Sequence, residues 1–284
     1  MRRCISRAGG CLLGVCAVAV VLVGGVGCRV QGPAVSTVEV HPPGTRGQRG
    51  HPRIGLTELE RLAGRDPLGF LKMCRDHYVD TVSDYRCRFH VTEPSGRGPA
   101  TEQVMEVRFR EDPYGVDMRW VKNAGPARRV TYVTGRWREG GRERALIFPS
   151  GVLALLVPGG VKRDIHAPDV RGASRRPIDL FGFKNTLDFH IKYCEMAQGD
   201  PAYRLAYLGR GEVDGRATFV FERRLPLSTE AATFPDRVQI INIDCGWLVP
   251  TGCFAYADDE REQLLGRYVA TDVEFNVGLT DEDF

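Results

Sequence analysis

Hydrophobic positions after residue 55 follow two different periods, and each period predicts a different kind of element. In the first stretch, apolar side chains recur every three or four residues, as on one face of a helix. Thr57 and Glu60 fit a capping box at the start of a first helix. Asp66 and Pro67 fit the start of a second helix, as its N-cap and its first helical residue.

From residue 85 the period changes to two, and this change predicts β-strands. The first strand, residues 85–91, alternates apolar side chains with charged ones. The alternation continues to residue 148, so four or five antiparallel strands with one buried face are predicted. Strands resume after residue 203 and end at residue 275, with a hairpin turn at Asp214-Gly215.

The segment between the two blocks of strands is predicted to be partly helical. Residues 152–157 form an apolar run that is too short to cross a membrane. This run fits either a buried strand or a short helix over the mouth of the sheet. Thr186 is predicted to cap a further helix that continues to Cys194. Because helices lie between strands that form one sheet, we expect an α+β fold with helices on its concave face.

The first 28 residues have the pattern of an export signal. Arg2, Arg3 and Arg7 precede an uncharged run that stops at Cys28. The small residues just before Cys28 resemble a bacterial lipobox, which predicts that Cys28 is acylated and becomes the first residue of the mature protein. An uncleaved membrane helix and plain cleavage remain open, since the run is long enough to span a bilayer and Gly25 replaces the usual large aliphatic residue.

The chain after the leader divides into a tether and a folded domain. Residues 29–55 are rich in Gly, Pro, Arg and polar residues, as in a flexible tether. Residues 56–284 are long enough for one large domain. We therefore expect an exported protein of the periplasm or cell envelope, anchored to a membrane through the Cys28 lipid or through the N-terminal helix.

Composition excludes several classes of protein. The formal net charge is +3, and no long block of like charge is present, so nucleic acid is not an expected partner. Five of the nine cysteines lie in the folded domain without a CxxC pair. They are expected to be mostly buried small hydrophobes, with one or two disulfides possible in an oxidising compartment.

No reactive constellation is visible in the sequence. The chain lacks HExxH, GxSxG, GxGxxG and phosphate-loop motifs, and its histidines form no i, i+4 pair. The acidic residues 258–262 fit a solvated hairpin loop better than a cation site or docking patch. We therefore predict a non-enzymatic protein with no metal and no cofactor.

Three segments carry a resemblance to a known family. They are residues 85–89 with 106–113, residues 243–250, and residues 268–284. Together they resemble DUF1571, an uncharacterised family of planctomycete-type bacteria, over residues 56–284. The order of elements also resembles the lipoprotein carrier and receptor fold of the LolA and LolB type. The resemblance implies a strongly curved antiparallel β-sheet, a half-barrel, wrapped around a few helices and enclosing an apolar cavity.

A cavity of this kind suggests a ligand-binding function. Acyl chains of a lipid or lipoprotein, or another apolar ligand, are the expected partners, with residues 151–158 as a lid. The alternative is a protein-interaction or envelope-stress sensor module without a small-molecule ligand. The candidate cavity residues are Val107, Phe109, Met118, Trp120, Leu153, Leu155, Leu156 and Phe181.

Overall fold

The computed structural model describes residues 55–94, 100–171, 174–230 and 232–284. The predicted leader, the Cys28 acylation site and nearly all of the predicted tether lie outside the described residues, so these remain predictions. Within the described ranges, no helix is both long and apolar enough to cross a membrane.

The described residues form five α-helices, two short 3-10 helices (Ile178–Leu180 and Asp281–Asp283) and twelve strands. The helices are α1 (Leu56–Arg65), α2 (Pro67–Thr81), α3 (Leu153–Leu156), α4 (Pro168–Arg171) and α5 (Phe183–Ala197). The strands are β1 (Asp84–Glu93), β2 (Thr101–Arg110), β3 (Gly115–Lys122), β4 (Ala127–Val133), β5 (Arg138–Glu139), β6 (Arg142–Pro149), β7 (Val161–Asp164), β8 (Arg204–Val213), β9 (Arg216–Arg224), β10 (Val238–Asp244), β11 (Pro250–Tyr256) and β12 (Leu264–Phe275).

All the strands belong to one open antiparallel sheet. Its order is β5-β6-β4-β3-β2-β1-β12-β11-β10-β9-β8. Strand β7 lies off this path and also pairs with β6. Within each half of the sheet, β1–β7 and β8–β12, strands that follow one another along the chain mostly lie side by side. The pairing of β1 with β12 joins the two halves. This arrangement confirms the predicted α+β fold with a curved antiparallel sheet.

Helices α2 and α5 pack together against one face of the sheet, which we call the concave face. Under α2, the ring of Phe70 lies 5.1 Å from Phe219 and 5.2 Å from Phe221. Under the start of α5, Tyr85 stacks on Phe109 at 4.9 Å. Each such buried side chain stabilises the fold by about 1.5–3 kcal/mol, because it leaves water on folding.

One predicted helix start is confirmed and two are wrong. Asp66 caps α2 as predicted, since its carboxylate accepts a hydrogen bond of 2.8 Å from the Gly69 backbone N–H. Helix α1 begins one residue before Thr57, and no side chain caps it. Helix α5 begins three residues before Thr186, because Gly182 turns the chain sharply at φ +113°.

Two further predictions concern a turn and the cysteines. Asp214 and Gly215 both have positive φ, 51° and 73°, as a tight turn between β8 and β9 requires. The five cysteines of the domain are all buried free thiols. The predicted role as small buried hydrophobes is therefore confirmed, and the disulfides left possible by the sequence are not formed.

Candidate functional site on the concave face

The concave face of β1–β3 carries a row of apolar side chains. The side chains at one end of this row are fully buried, and those at the other end are half-buried. Alternation places them there, because every second residue of a strand points to the same face. The register pairs Val107 with Met118 and Met105 with Trp120. We call the half-buried end the apolar strip, and its members are Phe89, Val91, Met118, Trp120 and Phe181.

Aromatic contacts and hydrogen bonds fix the geometry of the apolar strip. The rings of Phe89 and Phe181 meet edge to face at 5.2 Å. The Tyr114 hydroxyl donates to the backbone carbonyls of Ile178 and Phe181, at 2.7 and 3.0 Å, and so holds the chain before α5 against the sheet. The Trp120 indole N–H donates to a Gln103 side-chain oxygen at 2.9 Å. The strip is therefore a largely preformed surface.

The structure brings together five of the eight candidate cavity residues. Val107 and Phe109 are fully buried, and Met118, Trp120 and Phe181 pack against them while remaining partly exposed. The other three candidates lie apart on α3. Leu153, Leu155 and Leu156 are 58, 82 and 72% exposed. Lining of one cavity by all eight residues therefore remains a prediction.

Helix α3 forms the tip of the hairpin between β6 and β7. Its aliphatic side chains point into solvent together with Val152, which is 75% exposed. The Ser150 hydroxyl donates to the Gly125 carbonyl and ties this tip to the turn between β3 and β4. An exposed apolar cluster of this kind is typical of an interaction surface. We call these four side chains the α3 patch.

An open cavity of about 320 Å³ lies beside this hairpin on β6 and β7. It is chemically different from the apolar strip, because its walls are mainly basic. Polar walls of this kind do not suit an apolar ligand, whereas the apolar strip does. The lining residues are Arg142, Arg144, Lys162, Arg163, Asp164, His166, Ala167 and Pro168.

The other half of the concave face contains a buried polar cluster that the sequence did not predict. Arg223 of β9 is fully buried and donates to Asp236 at 2.7 Å and to Gln239 at 2.8 Å. A second Arg223 nitrogen lies 3.0 Å from the Nδ1 atom of His190 on α5. On the other side of the ring, the Cys253 sulfur lies 3.8 Å from His190 Nε2.

Electrostatics keep the imidazole in this cluster neutral. Burial lowers the pKa of His190 well below 6.5, and the positive charges of Arg223 and Arg176 lower it further. The guanidinium of Arg176 lies 3.6 Å from the centre of the Phe189 ring. Phe189 is on α5, the same helix as His190. The cluster therefore holds two cations against the single carboxylate of Asp236.

Metal ligands and the Cys253 thiol beside His190 are the reactive groups to consider in the described part of the chain. No group of three or more His, Cys, Asp or Glu side chains in the described ranges could hold a metal ion. Burial raises the pKa of Cys253 to about 11, so this thiol is protonated at neutral pH. The acidic residues 258–262 form a loop between β11 and β12, and Asp259 there accepts from Arg224 and Arg237 at 2.8 and 2.9 Å. These contacts agree with the interpretation of 258–262 as a structural loop.

Several solved structures are similar to this chain at low identity. The MucA/MucB complex of Pseudomonas aeruginosa is 16% identical, with a TM-score of 0.44, over 76% of this chain and 59% of that one. A putative outer membrane lipoprotein-sorting protein domain from Vibrio parahaemolyticus is 13% identical, with a TM-score of 0.36, over 76% and 94%. The lipoprotein LppX of Mycobacterium tuberculosis is 11% identical, with a TM-score of 0.35, over 76% and 100%. A LolA superfamily protein from Nitrosomonas europaea is also similar.

Sequence comparison identifies the family. None of the curated proteins matches the chain. The family described as "Protein of unknown function (DUF1571)" matches residues 82–284, from the end of α2 to the last residue. This match covers the whole sheet, the apolar strip and the buried polar cluster. The chain therefore belongs to the DUF1571 family.

Proposed function

We propose that this protein is a non-enzymatic component of the cell envelope that binds an acyl chain along the apolar strip. The observation that carries the proposal is the half-buried row of Phe89, Met118, Trp120 and Phe181 on the concave face. These side chains continue a buried core without being covered themselves. Most apolar ligand sites share this form, with a largely preformed concave wall of aliphatic and aromatic side chains.

Burial of apolar surface supplies the driving force. A chain that removes about 300 Å² of apolar area from water gains about 7 kcal/mol at about 25 cal/mol per Å². Association then costs at least about 4 kcal/mol of lost translational and rotational freedom. The remainder corresponds to weak, reversible binding, which suits a protein that holds and releases a lipid or the acyl chains of a lipoprotein.

Export and membrane attachment form the second part of the proposal. They rest on the basic leader, the small residues before Cys28 and the Gly- and Pro-rich residues 29–55. Acylation of Cys28 would hold the domain near a membrane face, and the tether would let the concave face approach lipid. Mass spectrometry of the protein from its own host tests this part, because acylation adds a defined mass to Cys28.

Fluorescence titration with anthroyloxy-stearate tests the site. We expect Trp120→Ser to weaken binding about tenfold, since it removes one of the largest apolar side chains of the strip. Val121→Ser is the matched control, because Val121 is the next residue of β3, is 50% exposed and points to the opposite face. Equal affinities of both variants and the wild type would refute acyl binding on the strip.

The α3 patch favours a second candidate function, the docking of a protein partner. Its four aliphatic side chains are exposed at the tip of a hairpin, where they stabilise no core. Under this function, Leu155→Ser would abolish a stoichiometric complex isolated from the native envelope and leave acyl-probe affinity unchanged. Loss of acyl binding in the same variant would instead assign α3 to the ligand site.

A further inference from the structure

The buried polar cluster contains more hydrogen-bond donors than its own acceptors satisfy. The Nε of Arg223 and the amide nitrogen of Gln239 have no hydrogen-bond partner, and both side chains are fully buried. Unpaired buried donors are costly, because they have lost water without gaining an acceptor. The interior of this cluster is therefore deficient in acceptor atoms.

The cluster also has an excess of positive charge. Asp236 neutralises Arg223 at 2.7 Å, while no carboxylate of the described chain lies within ion-pair distance of Arg176. Burial lowers the pKa of Arg176, and Arg223 is among the charges that lower it further. The neutral imidazole of His190 adds no charge at physiological pH. One positive charge thus remains without a partner in a poorly solvated place, where it attracts a single anion.

Arg176 lies where the polar cluster meets the apolar strip. Its guanidinium covers the Phe189 ring of α5 and interacts electrostatically with Tyr268 of β12. The Tyr268 ring stacks on Phe89 at 6.3 Å, and Phe89 contacts Phe181. A path along the concave face therefore leads from the unpaired cation to the half-buried aromatic side chains. Arg176 keeps part of its surface exposed to solvent.

We propose that Arg176 binds the carboxylate of an amphiphilic ligand whose acyl chain lies along the apolar strip. This inference rests on the proposed function and adds to it the class of ligand, a fatty-acid-like molecule with one negative charge. Arg176 makes the contact, and the buried Arg223 behind it raises the local positive potential. The ligand carboxylate would pair with Arg176, while Asp236 pairs with Arg223.

A pair of probes that differ only in charge tests this inference. Anthroyloxy-stearate carries a carboxylate, and its methyl ester is neutral. We expect the wild type to bind the acid about tenfold more tightly than the ester, as a charge-assisted hydrogen bond predicts. Arg176→Gln should abolish this difference, and Arg176→Lys should retain most of it. Arg119→Gln is the control, because Arg119 is an exposed arginine of β3 on the opposite face of the sheet.

The outcomes separate this inference from the function on which it rests. If acid and ester bind the wild type equally well, acyl binding stands and the carboxylate site is refuted. If neither probe binds, the proposed function fails and the inference fails with it. Circular dichroism reports whether Arg176→Gln folds. Should it not fold, the comparison of acid and ester on the wild type decides the question without any variant.

Discussion

Gly182 is the position where a single methyl group should disturb the concave face most. It has φ +113° and ψ 158°, a conformation open essentially to glycine alone. A Cβ added there would lie 2.8 Å from Cζ and 2.9 Å from Cε2 of Phe109. Phe109 is fully buried and stacks on Tyr85, so its ring has no free space into which to move.

The cost of Gly182→Ala has two parts. The backbone conformation costs an alanine about 1–3 kcal/mol. Overpacking against Phe109 adds about 1–3 kcal/mol, as is typical of methyl groups forced into a filled core. We therefore expect the free energy of unfolding to fall by about 2–6 kcal/mol, a large part of the total stability of a domain.

Urea unfolding followed by circular dichroism measures this change, and two glycines supply controls. Gly199 has φ +89° but no atom within 4 Å of an added Cβ, so Gly199→Ala reports the backbone part alone. Gly64 lies inside α1, where alanine should stabilise the protein by about 0.5–1 kcal/mol. In a Phe109→Leu background, part of the Gly182→Ala cost should disappear. A Gly182→Ala variant within 0.5 kcal/mol of the wild type, on the order of the error in such data, would refute the reasoning.

Three further predictions concern titration, reactivity and a buried turn. The pKa of His190 is low in the folded state, so below pH 6.5 the unfolded chain binds a proton there that the folded chain does not. The free energy of unfolding should therefore fall by about 1.4 kcal/mol per pH unit below 6.5. Urea unfolding at pH 7 and at pH 5 should show a smaller difference for His190→Gln than for the wild type. Burial raises the pKa of Cys245 and Cys253 to about 12 and 11, so Ellman's reagent at pH 8 should react with these thiols only at the rate of unfolding. Asp244 accepts hydrogen bonds from Arg216 at 2.6 Å and from two backbone N–H groups at 2.8 Å. Asp244→Ala should therefore lower the free energy of unfolding by about 2–3 kcal/mol. A melting temperature equal to that of the wild type would contradict this prediction.

The elements with strong local signals could be predicted from the sequence. Asp66 before Pro67 marks a helix start because both residues act through their nearest neighbours. Asp214-Gly215 marks a turn because both positions need positive φ. Thr186 gave a false start for α5, because the true start depends on Gly182 and on its close approach to Phe109. That contact joins α5 to a strand far away in the sequence, and no local pattern reports it.

The candidate site could be predicted only in part, for a similar reason. Alternation places Val107, Met118 and Trp120 on one face of the sheet, and in the structure they pack in the same cluster. Their role in binding a ligand stays a prediction. The apolar run that contains Leu155 fits either a buried strand or a short helix over the sheet mouth, and the structure shows a short, exposed helix. Apolarity alone does not distinguish a buried segment from an exposed one. The polar cluster had no sequence signal, because its members come from two loops, a helix and three strands that only the tertiary fold brings together.

The position of β12 has a consequence for how the nascent chain matures. This strand is the last in sequence, yet it lies in the middle of the sheet, between β11 and β1. Deletion of β12 would therefore separate the two halves of the sheet, whereas deletion of an edge strand would only narrow it. The first half can form its hairpins early, but the two halves of the sheet cannot join until residues 264–275 have left the ribosome. During that interval the chain stays incompletely folded, because β1 and β11 both expose strand edges that later pair with β12.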